Sequence, residues 1–376
     1  MRLTFSEIKN KIGKIVPEGL DYDVDLEAGS ISIITREPAS FGGAGGQSLT
    51  VKIAKTIRRR VVIRPHPELL SSETEVNDAV SRIMPSEAQI RRIWLDPALS
   101  EVTIEADDPK SAVGQKGTNI QQLRNEIGWL VNVVRAPARE SRTQTDIRRF
   151  RKELADERKI LLRKFGTRIY RPQRPGPSWA RVTALGSYRE VGRAMHLVTT
   201  NESKILVDCG AKPTNNRSEV QPFFAAPEML PLDNIDAVVI THAHVDHIGM
   251  LPVLFRYGYK GPVYCTQPTR DLMTLLQMDY IKVAQAEGNE APYSKSDIQE
   301  CIKHVVDVNW GEKTDIAPDI KMTMENAGHI LGSSSVYMQI GEGRTEHKLL
   351  FSGDIKYEKS WLFDAATVRF NKVDTL

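Results

Sequence analysis

Apolar positions in the first third of the chain follow an order that is written twice. Phe5, Ile8, Ile12 and Ile15 recur at helical spacing. Tyr22, Val24 and Leu26 alternate with charged residues as a strand, and the turn Glu27-Ala28-Gly29-Ser30 leads to a second strand over 31–35. A glycine-rich loop, Phe41-Gly42-Gly43-Ala44-Gly45-Gly46, precedes a helix carrying Leu49, Ile53 and Ile57, and Val61-Val62-Ile63 closes the unit as a strand. The order then returns. Val76, Val80 and Ile83 predict a helix, 90–95 and 102–106 predict strands around the turn Asp96-Pro97, and Gly114-Gln115-Lys116-Gly117 introduces a helix with Ile120, Leu123 and Ile127. A strand over 131–134 ends the repeat.

From 138 to about 168 the chain is strongly helical, with Ile147, Phe150, Leu154, Leu161 and Leu162 as a partial apolar stripe. Arg171-Pro172-Gln173-Arg174-Pro175-Gly176-Pro177 marks a boundary, because its three prolines cannot continue a helix. Beyond it the pattern changes to strands alternating with helices. Strands are predicted over 181–186, 194–200, 204–207, 235–240, 261–265, 302–308, 320–325, 334–340 and 348–352, and a helix over 268–286. The expected organisation is two small α+β units, 1–69 and 70–137, a basic helical linker, 138–178, and an α/β domain, 179–376.

One stretch of the α/β part carries chemistry. The apolar run 235–240 has the character of a strand buried on both faces, and Thr241-His242-Ala243-His244-Val245-Asp246-His247 follows it directly. Ile248, Leu251, Leu254 and Phe255 then recur at helical spacing, so a strand feeds a loop that feeds a helix. In extended chain, alternate side chains share a face, which lets His242 and His244 grip one metal ion. Asp246 and His247, on the turn into the helix, would face a second ion. His329, in Ala327-Gly328-His329-Ile330-Leu331-Gly332, and Asp354, in Phe351-Ser352-Gly353-Asp354, stand at later strand ends as further candidates. His66, His196, His304 and His347 have no such setting and read as ordinary surface or core residues.

Composition narrows the classes. A chain of 376 residues with 40% hydrophobic and 26% charged residues can bury a sizeable core. It has no apolar run of membrane-spanning length and no signal-peptide core at Met1-Arg2-Leu3-Thr4-Phe5-Ser6, so a cytoplasmic protein without a membrane partner is expected. Cys209, Cys265 and Cys301 are far apart and form neither a disulfide framework nor a thiolate metal site. The net charge of +3 hides an uneven distribution: between Arg135 and Arg174 there are 14 Lys plus Arg against 5 Asp plus Glu, +9, which leaves −6 for the remainder. A basic block in an otherwise acidic chain points to a polyanion, nucleic acid rather than membrane.

The loop Gly114-Gln115-Lys116-Gly117 fits that partner. Its two glycines let backbone approach a sugar-phosphate chain, Lys116 supplies charge, and the helix start at Thr118 offers free N–H groups. Set between helices after a strand pair, it resembles a KH domain of the variety whose two strands precede the loop. The first copy has no Lys or Arg between its glycines, so it is KH-like in fold with a weaker claim on RNA. Aromatic content, at 7%, offers no obvious base-stacking platform, which leaves RNA contact to glycine loops and charge.

The order HxHxDH, then GHxLGS, then SGD resembles the metallo-β-lactamase fold. By that family's pattern His242, His244 and His329 bind one zinc, Asp246 and His247 the second, and Asp354 bridges the two, with Asp246 orienting the attacking water. Leu185-Gly186-Ser187-Tyr188-Arg189-Glu190-Val191-Gly192-Arg193, Asp208-Cys209-Gly210 and Ala327-Gly328-His329-Ile330-Leu331-Gly332-Ser333 are similar to the β-CASP branch, which acts on RNA or DNA. With tandem KH-like units in front, the whole chain resembles the archaeal cleavage and polyadenylation specificity factor-like ribonucleases. That resemblance implies a fold of two KH-like domains followed by a metallo-β-lactamase-type αββα sandwich. It also implies a zinc-dependent ribonuclease, endonucleolytic and in some relatives 5′ to 3′ exonucleolytic, that cuts nascent transcripts to terminate transcription. It implies two zinc ions per chain, contact with the transcription machinery, and a homodimer in the full-length protein. Family members carry a further acidic motif, the RNA-clamping β-CASP insertion and a last histidine, none of which is found before Leu376. The expectation is therefore an incomplete nuclease, with dimerisation in doubt. Two other readings stay open: a non-catalytic RNA-binding or scaffold subunit, and a hydrolase of a small ester or thioester.

Overall fold

The structure is a computed structural model that describes residues 3–42, 48–173, 179–212 and 220–376. It divides into two compact units, one over residues 6–163 and one formed by residues 164–376 with the first few residues. Among the described residues no helix is long and apolar enough to cross a membrane.

The first unit is the repeat seen in the sequence. Its elements are α1 (Phe5–Gly13), β1 (Tyr22–Glu27), β2 (Ser30–Thr35), α2 (Pro38–Phe41), α3 (Leu49–Ile57) and β3 (Val61–Pro65). The second copy repeats them as α4 (Glu73–Ile83), β4 (Ile90–Asp96), β5 (Glu101–Ala106), α5 (Pro109–Val113), α6 (Thr118–Ile127) and β6 (Leu130–Arg135). In both sheets the first two strands pair antiparallel and the third joins parallel. The apolar stripes of the helices close over one face of each sheet, burying Ile8, Ile12, Ile31, Ile33 and Ile53 in one copy and Val76, Val102, Ile104, Leu123 and Ile127 in the other.

The short helices α2 and α5 were not anticipated, because four or five residues are too few to show an apolar period. Their signal was a proline at the first helical position, Pro38 and Pro109, with Asp108 accepting from the Lys110 N–H to cap α5. The helix expected over 138–168 is two, α7 (Arg142–Glu153) and α8 (Ala155–Ile169), broken where Leu154 leaves helical geometry. Most of the first glycine-rich loop, from Gly43 to Gly46, and the boundary residues from Arg174 to Pro177 lie outside the described residues.

The basic block is largely neutralised from within. Of its 14 cations, Arg142, Arg148, Arg151, Lys152, Arg158, Arg163, Arg168 and Arg171 form ion pairs with carboxylates of their own unit. Arg158 is buried against Asp96, with Nη1 2.9 Å from Oδ1. Arg148 pairs with the buried Glu105 and lies over the Trp94 ring. These charges hold helices onto strands, which leaves less of the block for a polyanion than the sequence suggests.

The second unit is a sandwich. One sheet has the order β12-β11-β10-β9-β8-β7, from β7 (Ala180–Gly186), β8 (Met195–Thr200), β9 (Lys204–Val207), β10 (Ala237–Val239), β11 (Val263–Cys265) and β12 (Val305–Asp307). The other is β13-β14-β15-β16, from β13 (Lys313–Ala317), β14 (Ile320–Asn326), β15 (Ser334–Ile340) and β16 (His347–Phe351). Val198, Ile205, Val207, Val239 and Tyr264 of the first sheet pack against Ile316, Met322, Met324, Val336 and Met338 of the second as one buried core. The helices Gln267–Ala286 and Lys295–His304 belong to this unit and bury Met273, Ile281, Ile298 and Cys301.

The strand expected over 302–308 is only β12. Ile302, Lys303 and His304 finish the helix Lys295–His304, where Ile298, Cys301 and Ile302 share a buried face and Ser294 with Asp297 forms a capping box. The strand β13 was missed, since its first residues are polar.

Arg64 joins the two copies of the first unit. It is 8% exposed, with Nε 2.8 Å from Glu27 Oε2 and Nη1 2.7 Å from Glu101 Oε1. Arg64→Ala leaves both carboxylates without their cation and is expected to cost about 3 kcal/mol in that unit, read as a lower urea midpoint. Arg64→Met, which fills the space without the charge, should also lower it, because Glu27 and Glu101 remain.

Candidate metal centre

The centre forms where β10 ends. Ala237–Val239 is fully buried between β9 and β11, both parallel to it, so the chain leaves the sheet at a fixed place and direction. Thr241 and His242 follow as buried residues, and the short helix Val245–Ile248 begins after His244. Gly210 permits this course: a Cβ there would sit 1.6 Å from the Asp246 carbonyl oxygen. The metal loop therefore rests directly on the chain leaving β9, and Cys209 N–H donates to the His247 carbonyl at 2.8 Å.

Residues distant in sequence arrive at the same point from the other sheet. His329 lies on the loop between β14 and β15, where Ser333 Oγ accepts from the N–H groups of His329 and Ile330 at 3.1 and 3.2 Å. Ser334 N–H donates to the Thr241 carbonyl at 2.8 Å, tying that loop to the end of β10. Asp354 follows β16 by way of Gly353, whose φ of +56° suits a residue without a side chain.

His242, His244, His329 and Asp354 converge, each offering a ligand atom within 4.8 Å of the others. His244 Nδ1 is 3.1 Å from His242 Nε2 and 3.2 Å from His329 Nε2, and Asp354 Oδ2 is 3.4 Å from His329 Nε2. His247 and Asp246 stand beside this group. His247 Nε2 lies 3.6 Å from Asp354 Oδ1 and 3.8 Å from Asp246 Oδ2. All six residues singled out in the sequence thus share one place. Imidazole nitrogens and carboxylates without thiolate are the donor set of a hydrolytic divalent-metal site, and such a cation fits this cluster.

Two residues the sequence reading left unassigned hold the ligands. Asp208, fully buried, takes the left-handed backbone conformation at φ +59°. Its carboxylate accepts from Thr241 N–H at 2.8 Å, from Thr241 Oγ1 at 2.8 Å and from His247 Nδ1 at 2.8 Å. Burial alone would raise its pKa, but the His247 imidazole beside it holds it below the ordinary carboxylate range. Burial likewise opposes a charge on His247, yet Asp208 raises that ring to about 9. With Nδ1 fixed on Asp208, the ring presents Nε2 to Asp246 and Asp354, as a carboxylate behind a ligand histidine does. His242 goes the other way: burial, then the neighbouring His247, lowers it to about 3, so it is neutral near pH 7. The available signal for Asp208 was its position, directly after a buried strand in Asp208-Cys209-Gly210.

The other predicted site lies in the first unit. Gly114 and Gly117 have φ of +75° and +81°, Lys116 is also left-handed at +51°, and Thr118 starts α6. Asn119 fixes the loop from inside by donating to the Ser111 carbonyl at 3.1 Å, and Gln115 and Lys116 are exposed.

Comparison with known proteins agrees with this division. Residues 197–373 match the family described as a metallo-beta-lactamase superfamily domain, and residues 2–70 match the KH domain of transcription termination factor FttA. The KH match falls on the first copy. The transcription termination factor FttA of Methanosarcina mazei is 43% identical over 371 residues, 98% of this chain and 58% of that protein. FttA of Methanothermobacter thermautotrophicus is 40% identical over 372 residues, again 98% and 58%. FttA of Thermococcus kodakarensis is 40% identical over 377 residues, with the same shares. The chain spans 58% of the length of these relatives.

Asp208→Asn should return the His247 titration in metal-free protein from about 9 towards the ordinary histidine range, measured by NMR of 13C-labelled histidine. It should also weaken divalent-metal binding roughly 10–100-fold in a chelator competition. In the metal-free wild type the His247 pKa is raised above its unfolded value, so its stabilisation is complete below about pH 6.5 and is lost as pH rises through about 9.

Proposed function

This chain is homologous over nearly its whole length to archaeal transcription termination factors FttA, with a KH domain ahead of a metallo-β-lactamase superfamily domain, and on that premise we propose that it is a zinc-dependent ribonuclease of transcript 3′-end formation and transcription termination. The observation that carries the reading is the convergence of His242, His244, His329 and Asp354, with Asp246 and His247 alongside.

In this reading His242, His244 and His329 would hold one zinc, Asp246 and His247 a second, with Asp354 available to both. Such ions would supply Lewis-acid polarisation of a phosphodiester and a lowered pKa for bound water. The residues themselves do the rest. His242, neutral and buried, offers a lone pair with no proton to lose. His247 releases its Nε2 proton on loading and stays anchored through Nδ1 to Asp208. Asp246, partly exposed beside His247, orients the attacking water and accepts its proton. Asp354 is 46% exposed, so the cluster opens to solvent on the side where a nucleic-acid strand would enter.

RNA is the substrate supported by the KH domain and by the relatives' naming, and the loop Gly114-Gln115-Lys116-Gly117 is assigned to its backbone. Nascent transcripts and the transcription machinery are the partners this implies.

The full-length protein, loaded with zinc, should cut a circular RNA, an endonucleolytic test, and a chelator should abolish cutting. Asp246→Ala should slow the zinc-loaded protein on the order of 10²–10⁴-fold. A protein that carries its zinc and binds RNA without turnover, and that Asp246→Ala leaves unchanged, would instead be a binding subunit. Gly114→Asp with Gly117→Asp should weaken RNA binding on the order of tenfold or more while leaving zinc content unaltered.

A further inference from the structure

Three exposed rings far apart in sequence frame one cleft in the second unit. Tyr188, on the loop from β7 to β8, is 75% exposed, Phe223 60% and Tyr257, just after the helix Leu251–Arg256, 72%. They line a cleft of about 760 Å³ with Glu190 and Arg193 at its rim. That volume is within the usual range for small-molecule and nucleotide sites.

The cleft is held firmly in shape. Four residues of its loop, Ser187, Arg189, Gly192 and Arg193, have left-handed backbone, with φ from +47° to +98°. Gly186 and Arg193 close the loop so tightly that a Cβ on Gly186 would lie 2.0 Å from the Arg193 carbonyl oxygen. Arg193 Nη1 donates to the Gln221 carbonyl at 3.3 Å, and Phe223 N–H donates to the Leu185 carbonyl at 2.8 Å. Arg193 and Lys212 both meet Glu190. A loop held in unfavourable backbone by this many contacts has the character of a site.

The chain leaving the cleft loop is tied to the metal loop. Ala194, directly after Arg193, donates its N–H to the Asp246 carbonyl at 2.8 Å. Beside the rings, Arg193 lines the cleft with its ion-pair partner Glu190. Exposed π-faces are what sequence-tolerant single-strand binders use, since every base can stack.

We propose that this cleft is a base-stacking subsite for single-stranded RNA, which positions the strand beside Asp246. The proposal rests on the ribonuclease reading and supplies the stacking platform that composition alone did not reveal.

The test is fluorescence anisotropy with the whole chain, zinc removed by a chelator so that nothing is cut. The probe is a fluorescein-labelled ten-nucleotide oligouridylate, with an abasic strand of equal length as control. Gly114→Asp with Gly117→Asp is the background, so that the KH loop does not mask the effect. Tyr188→Ala, Phe223→Ala and Tyr257→Ala should each weaken oligouridylate binding roughly five- to hundredfold. Tyr188→Phe, Phe223→Tyr and Tyr257→Phe should bind within about twofold of the parent. The salt dependence should keep its slope, because no phosphate contact is removed, and the abasic strand should bind every variant alike. Alanine variants that melt at the parent temperature and bind oligouridylate as the parent does would overturn the proposal, as would equal losses for the abasic strand. Loss of a protein partner with RNA binding intact would overturn it in favour of a protein-docking surface. Failure of the ribonuclease reading is separate: it would appear as zinc-loaded full-length protein that cuts nothing, whatever the rings do to binding.

Discussion

A single buried carboxylate sets the geometry on which the metal centre depends. Asp208 accepts three hydrogen bonds from two residues that follow β10, although it belongs to the end of β9. A carboxylate this deep is costly to bury unless its acceptors are satisfied. Here the backbone N–H and hydroxyl of Thr241 and the ring of His247 satisfy it. The left-handed turn at Asp208 is the strain accepted to aim the carboxylate at them. The same contacts fix which nitrogen of His247 is free, so folding of the sheet and preparation of the ligand are one event.

The other candidate ligands depend on the sandwich. His329 and Asp354 belong to loops at the ends of strands in the sheet opposite the one that bears His242. They reach it because Ser334 is hydrogen-bonded to the Thr241 carbonyl and Gly353 packs close to the Thr241 side chain. Thr241 thus touches every contributor: the Asp208 carboxylate through two groups, the His329 loop through its carbonyl, and the Asp354 turn through van der Waals contact. Apolar packing between the sheets brings the strand ends together, and this small polar knot adjusts them.

Much of this was legible in the sequence because it rests on short-range periodicity. The αββαβ order written twice, the buried strand before the histidines and the six clustered residues could be named from spacing and from their places at strand ends. What escaped had no local signature. The helices α2 and α5 are shorter than an apolar period. The end of the helix Lys295–His304 carries an apolar run that equally suits a strand, and a capping box ten residues earlier decided between them. Asp208 and Thr241 look like ordinary polar residues until the fold brings them to His247. The three rings of the cleft lie at 188, 223 and 257, so no window of sequence contains more than one chain segment of it. The basic block misled in the opposite sense, since net charge in a stretch says nothing about the carboxylates that folding lays against it.

Those internal pairs have a thermal consequence. Hydration of ions becomes less favourable on heating, so the desolvation cost of a buried guanidinium–carboxylate contact shrinks while apolar stabilisation per unit area levels off. The unit that Arg64 and Arg158 stitch together is therefore one whose seams grow relatively stronger with temperature. The sandwich has a buried pair of its own, Arg270 with Asp271 and Asp307, beside a core of Met, Val and Ile between two sheets. Heat would thus shift the balance in each unit away from apolar packing and towards its buried ion pairs.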